Sequence, residues 1–335
     1  MRILVSLLIC FLLFSCNSNK TPDVSNIKLD LQTKRFEKAL FNMDTTHFDQ
    51  SMNKLVTDYP EFAPLFFREI LNVDPRWAPD TTAFYIKGFI SSYKPLYDSA
   101  ELLYPDFKQQ TAEIKNVLQY VKHYFPEYKI PGEVITYVGP VDGVGDAISQ
   151  HALLVGLHQH MGEEYSMYSM DFVRQTYASY ITRRFTPEYI PVNAAKTIVL
   201  DMYPETDEVK TLVVKMVESG KKLYCMQQLL PNTDEYLIIG YTKMQLERSY
   251  SGEAQIWQLF LQNNMLQSID DNLIKNYIGD SPKTQELGEG SPGNIGGFVG
   301  WQIVKKYARD HSSLSLKELM NTPAETIFTD AKYKP

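Results

Sequence analysis

The chain has 335 residues, 44% of them hydrophobic and 22% charged, a composition that excludes a disordered or fibrous protein and supplies enough chain for a core without disulfide staples. Forty acidic side chains against 33 basic ones leave a formal charge of -7, which excludes binding built on clustered cations along a phosphate backbone, so no nucleic-acid partner is expected. The 22 tyrosines outnumber the 17 phenylalanines, which points to rings half in the core with the hydroxyl in water or at a partner surface.

Residues 1–16 read MRILVSLLICFLLFSC: one cation at Arg2, a 12-residue apolar run from Ile3 to Phe14 interrupted only by Ser6, then Ser15 and Cys16. A helix that spans hydrocarbon needs about 20 apolar residues, so this is an export signal rather than a membrane span. The run Leu13-Phe14-Ser15-Cys16 resembles the lipobox of bacterial lipoproteins, with Phe14 bulkier than usual, and implies cleavage before Cys16 and a diacylglycerol on its thiol. The expected organisation is a signal peptide over 1–15, a polar lipid-anchored tether over 16–30 and one globular domain over 31–335. Cys10 leaves with the signal and Cys16 carries lipid, so Cys225 stands alone in an apolar helical pattern, as a small buried hydrophobe. Residues 17–21 lack the acidic run that resembles surface-export signals in Bacteroidetes lipoproteins, so the periplasmic face of the outer membrane is the expected location.

Downstream, apolar spacing predicts helices in the first third, with two longer ones over 84–103 and 107–125; in the second, Ile114, Leu118, Val121 and Phe125 form one stripe. Residues 133–139 (EVITYVG) and the apolar run 152–157, separated by a Gly143 and Gly145 turn, predict a β-hairpin in a small sheet. Helical periodicity returns over 171–185 and 187–203, and the longest clean helix is expected over 207–230 before Pro231. Cap chemistry marks three later starts, at Thr242 with Gln245, Ser315 with Glu318, and Thr322 with Glu325. The turn-rich loop 279–293 is followed by a helix expected to start with Ser291 as cap and Pro292 in its first turn. The fold class is α+β, a mostly helical single domain with a small β-sheet near the middle.

Catalytic signatures are sparse. Residues 288–293 (GEGSPG) match G-x-G-x-x-G, but no strand precedes them, so no dinucleotide cofactor is expected. The zinc-peptidase helix motif H-E-x-x-H is absent. His151, His158 and His160 form the one dense histidine group; on a strand the last two would share a face, but a third ligand and a base would have to come from elsewhere, so hydrogen-bonded histidines are the expectation and no metal is assigned. G-x-S-x-G is missing, and S-x-x-K occurs four times, at Ser25, Ser51, Ser91 and Ser219, too often to discriminate. The doublets Glu163/Glu164 and Asp270/Asp271 read as solvated charges.

Several segments resemble the gliding-motility lipoprotein GldB family of Bacteroidetes: the lipobox ending at Cys16, LLVGLHQHMGEEYSMY (153–168), GKKLYCMQQLLPNTDE (220–235), GYTKMQLE (240–247), SPGNIGGFVGWQIVKKY (291–307) and the terminal AKYKP. The resemblance implies a lipid-anchored envelope protein required for gliding and associated with type IX protein secretion, without catalysis or cofactor. Its implied partners are the membrane, through the lipid, and other gliding or secretion envelope proteins. It also implies a distant likeness to the zincin layout, here lacking H-E-x-x-H. Candidate partner contacts are His158, His160, Tyr165 and Tyr168 in one segment, and Gly290, Pro292, Phe298 and Trp301 in the other, the last two being equally compatible with core. Two other readings stay open: an exported metal-dependent hydrolase of degenerate zincin type using the 151–160 segment, and a periplasmic lipoprotein binding glycans or peptides through its tyrosines.

Overall fold

A computed structural model describes residues 21–335; the signal sequence and Cys16 lie outside the described residues. Four short strands form one sheet: β1 (Gln32–Arg35), β2 (Glu133–Tyr137), β3 (Ala147–Ile148) and β4 (Ala152–Gly156), in the order β1-β2-β4-β3. β2 pairs in parallel with both β1 and β4, placing Val134 beside Leu153, while β3 runs antiparallel to β4. The anticipated hairpin between the two apolar runs is therefore not formed. The chain leaves β2, passes the glycine turn and comes back as β3, and only the β3–β4 pair turns tightly on itself, with the Ser149 amide on the Ala152 carbonyl. The physical reason is burial. Every residue of β4, and all of β2 after Glu133, is buried, as expected of parallel strands covered on both faces.

Helices make up most of the rest. The long ones are α1 (Pro79–Leu103), α2 (Lys108–Tyr124), α3 (Tyr189–Met202), α4 (Leu212–Leu229) and α5 (Ile295–Asp310), and α6 (Ala324–Ala331) closes the chain. The expected helix over 171–185 is split into Asp171–Thr176 and Ser179–Thr182, and α4 begins five residues later than its periodicity suggests. Capping boxes form at Thr242 with Gln245 and at Ser315 with Glu318, each satisfying two otherwise orphaned donors. Thr322 instead ends the helix Leu316–Asn321, and Pro323 takes the cap position of α6.

α4 and α5 form the central pair of the helical body. They cross so closely that a Cβ on Gly300 would stand 1.7 Å from the Met216 carbonyl oxygen. Backbone contact at this depth leaves room for glycine alone. Cys225 is fully buried on α4, as its apolar surroundings suggest. α5 starts at Ile295 behind Asn294, which is left-handed at φ 52°, rather than at Ser291. Ser291 is drawn inward instead: its Oγ donates to the Thr284 carbonyl (2.8 Å) and accepts from the Thr284 amide (3.1 Å), pinning the loop 279–293 to itself.

The described part of the tether meets the domain at several points. Val24 is buried, the Gln119 side-chain amide donates to the Ile27 carbonyl, and the Tyr120 hydroxyl reaches the Pro22 carbonyl. Residues 22–30 thus lie along α2 rather than free of it, because Val24 and Ile27 bring apolar surface that the polar composition of the stretch conceals.

Candidate binding cleft beside a buried histidine–aspartate pair

The strand β4 ends in a single 3-10 turn, Leu157–Gln159, which carries His158 and His160 into the interior, both with no exposed surface. They are held in opposite states. His158 donates from Nε2 to the Val144 carbonyl (2.9 Å) and accepts at Nδ1 from the Gly139 amide (3.1 Å), which fixes the neutral Nε2–H tautomer. Burial pushes its pKa down to about 4.

His160 has acceptors at both nitrogens: the Thr186 carbonyl at 3.1 Å from Nδ1 and Asp146 Oδ2 at 2.8 Å from Nε2. Two acceptors call for two protons, so the ring is an imidazolium. Burial works against that charge, but the Asp146 carboxylate and the hydrogen bonds hold the pKa above the ordinary histidine value. Asp146 is likewise opposed by burial and held below the carboxylate range by His160, by the Asn193 amide (2.8 Å) and by the Gly156 N–H (3.0 Å). Tyr104 and Tyr168 donate their hydroxyls to the carbonyls of His160 and His158, so the turn's backbone is satisfied as well.

This pair is a structural joint. Protein groups engage every ring nitrogen of His158 and His160, leaving neither free to take a proton from a substrate. Among the described residues no three His, Cys, Asp or Glu side chains are grouped to hold a metal ion. His151 is exposed and stands 3.6 Å from Glu61, apart from the other two.

A second buried charge went unread in the sequence. Glu37 has no exposed surface; it accepts from Thr136 Oγ1 (2.7 Å) and pairs with Arg35, which also reaches Glu101 and the Tyr104 carbonyl. Burial raises its pKa against the pull of Arg35 and Thr136. It ties the start of the first helix, Phe36–Phe41, to β2.

Asn193, on the far side of Asp146, opens onto a cleft of about 890 Å³. Its walls are one face of α3, carrying Asn193 and Lys196, and one face of α4, carrying Lys215, Ser219 and Lys222. The rim is stapled by Arg184 to Asp280 (2.9 Å), while Arg183 holds the Gly240 carbonyl (2.9 Å). Such a volume lies near the top of the roughly 300–1,000 Å³ range of ligand pockets. The arrangement can bind and orient a ligand.

The segments expected to meet a partner are distributed differently. Phe298 and Trp301 are fully buried on α5, with Lys305 laid over the indole at 3.9 Å, so they pack the core. His158, His160 and Tyr168 are buried, and Pro292 is buried within the pinned loop. Tyr165, half-buried, and Gly290, exposed, retain surface.

A family model described as gliding motility protein GldB matches residues 17–335. The chain belongs to that family. No curated protein and no solved structure matches it. Membership in GldB implies a role in gliding motility and makes the chain a member of a motility family rather than of a known enzyme family.

Proposed function

We propose that this GldB family member is a lipid-anchored protein of the cell envelope, on the periplasmic face of the outer membrane, that supports gliding motility and the associated type IX protein secretion by contact with other envelope proteins. The family match over nearly the whole chain carries this reading. The lipobox at Cys16 supports the anchor: two or more acyl chains hold a protein on a bilayer where a single chain does so only marginally. No helix among the described residues is long and apolar enough to cross a membrane, so attachment in this reading falls to Cys16. Two features of the site support the contact reading. The buried histidines are committed to protein groups, and the open cleft offers cations and amides that suit binding. Deletion of the gene, with colony spreading and secreted cargo measured in the same strain, tests the reading: loss of both supports it, and normal spreading with normal secretion overturns it.

A further inference from the structure

We propose that the cleft between α3 and α4 seats an extended acidic segment of a partner polypeptide. Seven cationic side chains line it against three carboxylates, in a chain whose overall formal charge is -7. Three of the cations are neutralised: Arg184 by Asp280 (2.9 Å), Lys210 by Glu218 (2.6 Å) and Lys222 by Glu205 (3.3 Å). Lys221 donates to the Thr322 carbonyl. Lys196 on α3, Lys215 on α4 and Lys275 on the helix Asp271–Tyr277 make no ion pair among the described residues, and they come from three separate elements around one opening. An acidic protein that gathers unpaired lysines at a concavity focuses a positive field there, which draws in anions and raises their rate of encounter.

The floor decides between anions. Half-buried Ile181, Leu200, Met202, Leu237 and Ile278 line the cleft with apolar surface. Inorganic phosphate or a small diacid would leave that surface wet. A lipid would cover it but would bring its charge at one headgroup, whereas the unpaired lysines are spread over three elements. An extended peptide meets both demands, because successive side chains alternate between faces and acidic residues can point to the rim while apolar ones point to the floor.

The proposal supplies partner chemistry for the contact reading and rests on that reading only for its place in motility; the binding itself is a property of the purified protein. The test uses the full-length protein in detergent with a fluorescent eight-residue peptide alternating Leu and Glu. The double variant Lys196→Glu/Lys215→Glu is compared with Lys334→Glu, an exposed reversal at the chain's end, and thermal unfolding confirms that each variant is folded. The expected result is saturable binding that weakens with salt, falls at least tenfold in the double variant and is unchanged in the control. Failure to bind, equal binding by the double variant, equal binding of a Leu–Gln peptide, or displacement of the peptide by inorganic phosphate or phosphatidylglycerol vesicles as readily as by unlabelled peptide would each overturn it. A deletion strain that stops gliding while the purified protein ignores the peptide sinks this inference alone.

Discussion

Gly220 of α4 and Gly300 of α5 meet backbone to backbone: a Cβ on Gly220 would stand 2.2 Å from the Gly300 carbonyl carbon. Neither neighbour is the flexible end of a side chain, so any added methyl forces the helices apart and breaks the packing of Phe298, Trp301 and Met216 around the crossing. Gly300→Ala is expected to lower the unfolding free energy by at least about 3 kcal/mol, the upper part of the overpacking range. Gly88→Ala, on exposed α1 with nothing within 4 Å of its Cβ, should instead be stabilising by about 0.5–1 kcal/mol. Urea unfolding of the two variants beside the native chain checks both signs.

The buried pair makes an asymmetric prediction. Asp146→Ala leaves the His160 ring with its proton and no counter-charge, and should cost about 3–5 kcal/mol, as removal of one partner of a buried ion pair does. His160→Gln with Asp146→Asn removes both charges at once and keeps hydrogen-bonding groups in place. The double variant should therefore lose less than the sum of its two singles, in a double-mutant cycle read by denaturant unfolding.

His158 gives the fold an acid-sensitive point. Its folded pKa, pushed down to about 4, lies below the unfolded value near 6.5, so the unfolded chain binds the extra proton between those limits. Stability from this residue is complete above about pH 6.5 and falls as the pH drops towards 4, by up to about 3 kcal/mol. His160, raised above its ordinary value, is protonated in both states over the lower part of that window and adds little pH dependence there. Glu37 works the other way, since its raised pKa gives stability below about 4.5 that is lost as the pH rises. Comparing native chain and His158→Gln across pH 4–6.5 cancels the contribution of Glu37. The variant should show the shallower loss on acidification.

How much of this could be read from residues alone depends on the range of the interaction. The capping boxes at Thr242 and Ser315 are encoded within four residues and appear where expected. The close approach of Gly300 to Gly220 joins residues 80 apart in sequence, so no local pattern names the partner. β1 was not readable: Gln32–Arg35 is polar, sits at a sheet edge and becomes a strand only through its pairing with β2. The parallel pairing of β2 with β4 was hidden because two fully buried strands show no alternation to distinguish a hairpin from a crossover. Asp146 directly follows the Gly143 and Gly145 turn and carries no local signal of its role, since its partners His160 and Asn193 arrive from other elements. The cleft's lysines are likewise scattered over α3, α4 and the helix before the glycine loop, so no local pattern announces them.

Cys16 should carry the anchor. The purified native protein is expected to begin at Cys16 and to show the mass of a diacylglycerol on that residue, and Cys16→Ser should move the protein from the membrane pellet to the soluble fraction after carbonate washing. A native amino terminus without added lipid would refute the anchor while leaving family membership untouched.

Colony spreading of a deletion strain supplied with either the native gene or the Cys16→Ser variant puts the whole account at risk in one plate assay. Restoration by the native gene and none by an equally abundant, exported serine variant is the predicted result. Full spreading with the serine variant, or with no copy at all, would contradict a motility protein that works from the membrane by touching its neighbours.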